Sequence, residues 1–290
     1  AVPTGYEVML GNGSDELLGL IALALARPGA RALIPAPSFS MYRPIARAAG
    51  MTVVEVPLRA DFTLDVPAMQ AAYAIHRPAV TFLASPNNPT GVRYADADVA
   101  AVLQAATGLV VLDEAYAPFA RASLMGWLER YPRLVVLRTL SKVGLAGLRL
   151  GFMAAHPDWH AAFDRARLPY NVNSLTLESA AFALEQRDWL DARAADVVAA
   201  RESLVAALRA LPGLEVVPSQ ANFVLVRAPA GRGRALNEAL LAAGILVKDF
   251  SAAPAPLTDC LRITVGTPAE HARLLATLAA ALHSAGRTAP

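Results

Sequence analysis

Continuous apolar runs alternate with amphipathic stretches through the first half of the chain. The runs are Ala32-Leu33-Ile34, Thr52-Val53-Val54-Glu55-Val56, Val80-Thr81-Phe82-Leu83, Leu109-Val110-Val111-Leu112, Leu134-Val135-Val136-Leu137 and Gly151-Phe152-Met153-Ala154. Helical patterns lie between most of them, including Asp15 to Ala26, Phe39 to Ala49 and Ala95 to Ala106. Apolar strands separated by helices predict an α/β fold, a mainly parallel sheet flanked by helices on both faces. The runs at 134–137 and 151–154 are joined by too few residues for a helical crossover, so that pair is expected to be antiparallel.

The pattern changes after residue 175. A long helix is expected from about Trp189 to Leu211, stopped by Pro212-Gly213. Strands are expected at Leu214 to Val217, Asn222 to Arg227, Ile245 to Val247 and Leu261 to Val265. Helices are expected near Gly233 to Ala243 and from Pro268 to about His283. This second half reads as a smaller α+β C-terminal domain with its own sheet. The division falls at 1–187 and 188–290. No internal repeat is visible, and Ser251 to Pro256 reads as a loop.

Composition narrows the function classes. The chain has 290 residues, 55% of them hydrophobic and 17% charged, which indicates an ordered globular protein large enough for one or two domains. A net charge of +2, with no basic run longer than two residues, gives no sign of a nucleic-acid partner. The longest apolar run, Leu17 to Ala26, is too short to cross a bilayer, and no signal peptide is visible. The chain opens on Ala1 rather than Met, which reads as a processed, trimmed or incompletely represented sequence. Its one cysteine, Cys260, excludes an intrachain disulfide and fits a reducing, cytoplasmic setting. Its place before an apolar stretch predicts a buried thiol.

The chemistry centres on Lys142, which follows the run ending at Leu137. A lysine at the mouth of a buried strand loses solvation, and its amine can become a nucleophile toward carbonyls. Pyridoxal phosphate needs such a residue, because it is held as a Schiff base on lysine. Ser141 and Arg149 flank Lys142 with groups suited to a phosphate. A surface lysine beside a capping serine explains this segment alone equally well.

Four more segments place polar groups at expected strand ends, where parallel sheets carry their functional loops. Gly11-Asn12-Gly13-Ser14-Asp15-Glu16 opens a helix, and free N–H groups there attract an anion. Asp15 and Glu16 would repel a phosphate unless their side chains turn away, and simple capping by Ser14 is the plain alternative. Ser85-Pro86-Asn87-Asn88-Pro89-Thr90-Gly91 is a proline-locked turn that fixes Asn88 as a donor. Asp113-Glu114-Ala115-Tyr116 ends a buried strand, where a carboxylate needs a charged or hydrogen-bonded partner. A protonated pyridine nitrogen is one such partner, and Tyr116 could reach a ring oxygen. An acid pair binding a metal is the rival, but His156 and His160 lack a third ligand, so no metal is expected. Phe39, in Pro37-Ser38-Phe39-Ser40-Met41-Tyr42, could stack on a flat ring or pack in a core.

In this order the pieces resemble the fold-type I pyridoxal-phosphate enzymes, the aspartate aminotransferase superfamily. Gly11-Asn12-Gly13-Ser14-Asp15-Glu16, Ser85 to Gly91, Asp113-Glu114-Ala115-Tyr116, Arg138-Thr139-Leu140-Ser141-Lys142 and Cys260-Leu261-Arg262-Ile263-Thr264-Val265-Gly266 are most similar to histidinol-phosphate aminotransferases. The resemblance covers nearly the whole chain. It implies that Lys142 binds the cofactor covalently and, once freed, moves a proton between carbon atoms. It implies that Asp113 pairs with the pyridine nitrogen, that Asn88 and Tyr116 hold the ring oxygen, and that Phe39 stacks on the ring. Ser14 and Asp15, chiefly through backbone N–H groups, would hold the phosphate with Ser141 and Arg149. Arg262, Asn222 and Lys248 would bind substrate, Arg262 taking the glutamate carboxylate or the phosphate of histidinol phosphate.

The resemblance also implies a homodimer. Three departures accompany it. Lys248 stands where many relatives have arginine. The Lys142–Arg149 spacing (149 − 142 = 7) is one residue shorter than in most of the superfamily. The family's N-terminal arm is not part of this sequence. Other enzymes of the fold, aromatic aminotransferases and threonine-phosphate decarboxylases, share most of these motifs, and a non-catalytic paralogue is the remaining alternative.

Overall fold

The structure, a computed structural model, describes residues 2–284. Among these residues the chain forms two sheets. The larger has seven strands: β1 (Val8–Gly11), β2 (Arg31–Ala36), β3 (Thr52–Pro57), β4 (Val80–Ala84), β5 (Leu109–Asp113), β6 (Leu134–Thr139) and β7 (Gly151–Ala155), in the order β1-β7-β6-β5-β4-β2-β3. The smaller contains β8 (Glu215–Val216), β9 (Phe223–Arg227), β10 (Lys248–Phe250) and β11 (Cys260–Thr264), in the order β10-β11-β9-β8. The helices are α1 (Ser14–Ala24), α2 (Tyr42–Ala48), α3 (Val66–His76), α4 (Asp96–Ala105), α5 (Ala117–Ala120), α6 (Pro157–Asp164), α7 (Ser174–Glu185), α8 (Arg187–Arg209), α9 (Gly233–Ala242) and α10 (Pro268–Ser284).

The unbroken apolar strands are explained by burial on both faces. All five residues of β5 are buried. Val110 and Leu112 pack with Met69 and Tyr73 of α3 and Val99 and Val102 of α4. Leu109 and Val111 point the other way, into Leu17, Leu18 and Ile21 of α1, with Tyr42 of α2 and Phe163 of α6. Each Val or Leu so enclosed contributes about 1.5–3 kcal/mol relative to an exposed side chain. Strands β2, β3, β4, β5 and β6 pair in parallel. As expected, β6 and β7 are antiparallel, with Val135 opposite Ala155 and Thr139 opposite Gly151.

Strand β1 is not visible in the sequence pattern. It pairs antiparallel with β7, Val8 to Ala154 and Gly11 to Gly151. Four residues ending in glycine carry little local signal, and the partner lies more than a hundred residues away. The helix expected from Phe39 begins instead at Tyr42, and the strand expected at 245–247 is formed three residues later, at Lys248–Phe250.

The second sheet is antiparallel throughout. Val224, Val226, Leu261 and Ile263 pack against Leu204 and Leu208 of α8, Leu236 and Leu240 of α9, and Leu274 and Leu278 of α10. Helix α8 also touches the larger sheet's loops, where Ala194 meets Tyr116, Phe119 and Phe223. Arg201 pins this junction. It is buried, and Nη1 donates to the carbonyls of Phe119 (3.3 Å) and Ala221 (3.0 Å). Cys260 is fully buried.

Candidate active site at the carboxyl rim of the large sheet

Strands β1, β2, β4, β5 and β6 end on one rim, and each releases a loop that carries a candidate residue. Strand β7 runs the opposite way, so its start lies on that same rim and delivers Arg149. The loops border an open cleft, with about 540 Å³ of empty space counted together with the solvent at its mouth. Ser14, Asp15, Phe39, Asn88, Asp113, Tyr116, Ser141, Lys142 and Arg149 all line it. Asn222, Lys248 and Arg262 do not line it. Thr139, Ala84, Pro86 and Ala115 do, and the sequence reading did not single them out.

Two glycines let the backbone close up at one corner of the cleft. Gly13 caps α1 at φ +85°, and a Cβ there would sit 2.6 Å from Arg149 Nη2. A Cβ on Gly151 would sit 2.5 Å from the Ser14 backbone nitrogen. The α1 N-terminus therefore lies tight against the start of β7, with its free N–H groups and Arg149 on one side of the cleft. The cap is Gly13, and no side chain bonds the helix start, so Ser14 is not a capping residue. The two first-turn acids part company. Glu16 turns away, accepting from the Asn12 amide at 2.6 Å and from Asn171 Nδ2 at 2.9 Å. Asp15 stays at the cleft, its Oδ2 4.0 Å from Arg149 Nη2. Both partners are about half exposed, so this pair contributes little stability.

The two adjacent asparagines divide their work. Asn87 is fully buried; Nδ2 donates to Pro37 O and Thr90 Oγ1, both at 3.0 Å, and Oδ1 accepts from Ser38 Oγ at 2.9 Å. It ties the turn to the loop after β2. Asn88 faces the cleft, and its Oδ1 accepts from Arg262 Nη1.

The acid pair after β5 also splits. Glu114 points away from the cleft, accepting from Ser123 Oγ, the Leu124 amide and Arg138. Asp113 faces the cleft while buried. Its Oδ1 accepts from the Ala115 amide at 3.0 Å and its Oδ2 from the Tyr42 hydroxyl at 2.9 Å. Burial raises its pKa above the ordinary carboxyl value, against the pull of those hydrogen bonds. No cluster among the described residues could hold a metal ion. His156 instead caps α6, its Nδ1 accepting from the Asp158 amide at 3.3 Å.

Lys142 is half-buried on a single helical turn after β6, with Nζ 5.6 Å from the centre of the Tyr116 ring. Thr139 builds that turn. Its Oγ1 accepts from the Ser141 amide at 3.1 Å and donates toward Ser141 Oγ at 2.9 Å. Burial pushes the Tyr116 hydroxyl up to about 12, and its ring packs edge-on against Phe223 at 5.2 Å.

The second sheet presents its cations beside this cleft. Arg262 stacks over Phe223, 4.9 Å from the ring centre, and its Nε is buried without a hydrogen-bond partner. Lys248 lies directly opposite Arg262 across β10 and β11, is exposed, and rests over Phe250 at 5.8 Å. Residues facing each other across antiparallel strands share one side of the sheet, so the two cations form a single positive face. Asn222 meets this sheet through its backbone, its carbonyl accepting from the Val265 amide at 2.9 Å.

Comparison with known proteins agrees with this architecture. Residues 2–278 match the family model "Aminotransferase class I and II". "Histidinol-phosphate aminotransferase 1" of Ralstonia nicotianae is 52% identical over 286 residues, covering 97% of this chain and 76% of that protein. "Histidinol-phosphate aminotransferase" of Chromobacterium violaceum is 51% identical over 278 residues, covering 96% and 78%. The solved structure of histidinol-phosphate aminotransferase from Sinorhizobium meliloti, in complex with pyridoxal-5'-phosphate, superposes with a TM-score of 0.85 at 29% identity, covering 96% of this chain and 77% of that one.

Proposed function

The chain belongs to the class I and II aminotransferases, and from that premise we propose that it transfers an amino group between L-glutamate and imidazole acetol phosphate, giving L-histidinol phosphate and 2-oxoglutarate. The family is pyridoxal-phosphate dependent. The relatives at about half identity over nearly the whole chain support this substrate pair, which belongs to histidine biosynthesis. The observation that carries the reading is the convergence of Lys142, the buried Asp113 and the glycine-lined α1 N-terminus on one cleft.

The residues present fit the cofactor. Gly13 and Gly151 leave the backbone approach that a phosphate needs, and Asp113 is a buried carboxylate with room for a cationic partner in the cleft. When bound, pyridoxal phosphate supplies an electron sink for negative charge at the substrate α-carbon. Lys142 Nζ is assigned the covalent attachment and, once free, the movement of the α-proton. Asp113 keeps a negative charge against the ring nitrogen. Asn88 and the protonated Tyr116 hydroxyl hold the ring oxygen, and Phe39 covers a ring face. The backbone N–H groups of Ser14 and Asp15, Ser141 and Arg149 hold the phosphate. On the second sheet, Arg262 receives the substrate carboxylate or phosphate by its planar fork, with Lys248 and Asn222 completing the substrate side.

The division at 187/188 then has a meaning: residues 1–187 hold the cofactor and 188–290 select the substrate. We place the chain in the cytoplasm, in keeping with its single buried thiol, and read it as a homodimer. The stretch 168–189 leaves Leu168, Tyr170, Leu175, Phe182 and Trp189 exposed, and apolar surface of this kind supports self-association. Among the described residues no helix is long and apolar enough to cross a membrane. Sedimentation should give twice the chain mass; a strict monomer at micromolar concentration would remove the dimer.

Borohydride reduction of the cofactor-loaded chain, followed by peptide mapping, tests the attachment: the pyridoxyl adduct belongs on Lys142 and disappears in Lys142→Ala. Half-reaction assays with histidinol phosphate, glutamate, phenylalanine, aspartate and threonine phosphate test the substrate. Preference for phenylalanine or threonine phosphate over histidinol phosphate would overturn the assignment.

A further inference from the structure

Tyr42 is fully buried, does not reach the cleft, and yet touches two groups assigned to the cofactor ring. Its hydroxyl donates to Asp113 Oδ2 at 2.9 Å. Its ring meets the Phe39 ring edge-on at 5.4 Å and stacks on Phe82 at 5.2 Å. We propose that Tyr42 is a positioning residue for the cofactor, holding the Asp113 carboxylate toward the ring nitrogen and backing Phe39 with the same phenol. The proposal rests on the reading of this cleft as the pyridoxal-phosphate site.

The physical case starts from the carboxylate. A charge buried in a protein interior must be paired or hydrogen-bonded, and Asp113 already resists ionisation because of burial. Other charges face it from two sides: Asp15 on α1 raises its pKa and Lys142 after β6 lowers it. Among the described residues only Tyr42 and the Ala115 amide bond its oxygens directly. Each oxygen thus has one fixed donor and keeps a lone pair for the cleft. Loss of the Tyr42 hydroxyl would leave one donor and push Asp113 toward its neutral form, which cannot pair with a protonated ring nitrogen.

Tyr42 is suited to the role because it stays protonated. Burial first, then the charge of Asp113, raises its pKa well above the ordinary phenol value, with Tyr94 and Tyr116 adding to the effect. It therefore donates throughout the working pH range. Its ring is clamped between Phe82 and Phe39, so the hydroxyl cannot swing away. One side chain thereby sets both the edge and the face of the site.

Tyr42→Phe keeps the ring and removes only the hydroxyl. The dissociation constant of pyridoxal phosphate, read by quenching of intrinsic fluorescence, is compared in wild type, Tyr42→Phe, Asp113→Asn and the double variant. Each single change should weaken binding about tenfold, the size of one hydrogen bond to a charged group. In the Asp113→Asn background, Tyr42→Phe should then change affinity by less than about twofold, because the two act as a unit. With glutamate, Tyr42→Phe should lower kcat and leave KM near the wild-type value. An equal loss in both backgrounds, or no loss in Tyr42→Phe, would overturn the proposal. Unchanged affinity in Asp113→Asn would overturn the assignment of Asp113 itself, and this proposal with it.

Discussion

Arg262 of β11 donates through Nη1 to the side-chain oxygen of Asn88, joining residues 174 positions apart. The bond links the sheet assigned to substrate with the loop assigned to the cofactor ring. Arg262 also carries a buried Nε without a hydrogen-bond partner. A buried donor left open is costly, and an incoming carboxylate would satisfy it. Arg262→Lys keeps the charge but loses the fork. The expected result is a fall in kcat/KM for glutamate of about thirtyfold, roughly 2 kcal/mol, with cofactor affinity little changed. Steady-state kinetics beside a cofactor titration separates the two effects; wild-type kcat/KM would remove Arg262 from the site.

Asn87 and Asn88 should answer differently to the same substitution. Asn87 is buried with three side-chain hydrogen bonds, so Asn87→Ala leaves several partners unsatisfied and should cost about 2–4 kcal/mol of stability. Asn88→Ala should leave the unfolding free energy within about 0.5 kcal/mol of wild type and shift the visible absorbance of the bound cofactor instead. Equal effects on stability would contradict the division of labour.

Asp113 opposes folding in the cofactor-free chain. Its folded pKa is raised by burial, so the native state holds the proton more tightly than the unfolded chain. The stabilisation from that more tightly held proton is fully present below the ordinary carboxyl pKa of about 3.9 and is lost as pH rises through the folded value, so it is the ionised carboxyl that opposes folding. Asp113→Asn has no proton to lose. The stability of Asp113→Asn relative to wild type should therefore rise as pH is raised from 4 to 7, measured by denaturant unfolding of cofactor-free protein. A flat difference would mean that the carboxyl is not desolvated.

Gly151 should be intolerant of even one methyl group. A Cβ would meet the Ser14 nitrogen at 2.5 Å and the Gly13 carbonyl carbon at 2.9 Å, both of them backbone atoms. Gly151→Ala should lose about 1–3 kcal/mol of stability and weaken cofactor binding through a displaced α1 N-terminus. A variant with unchanged phosphate-dependent binding would show that the corner has more slack than its geometry indicates.

Much of this site was legible because its motifs sit where apolar strands stop. The runs ending at Leu83, Leu112 and Leu137 are buried on both faces, so their hydrophobicity announces the strand and their first polar residues announce the rim. What was not legible depends on contacts between distant segments. Tyr42 reads as an ordinary core aromatic, because nothing near it in sequence reveals an acid 71 residues away. Strand β1 gains its identity only from β7. The split between Glu114 and Asp113 follows from strand alternation, whereas the Arg138 and Ser123 partners that hold Glu114 come from elsewhere in the chain. Asp15 did not turn from the cleft as charge repulsion alone would suggest, since Arg149 stands beside it.

The reversed strand β7 makes Lys142 and Arg149 two ends of one short bridge. The Leu140 amide donates to the Leu150 carbonyl at 3.0 Å, and the Thr139 hydroxyl lies 3.3 Å from the same oxygen. The chain thus leaves the rim and returns to it almost at once, and the distance from amine to guanidinium is measured out by a closed loop rather than by the packing of separate helices. Inserting or deleting a residue there would change the gauge itself, so this connection should tolerate altered side chains far better than altered length.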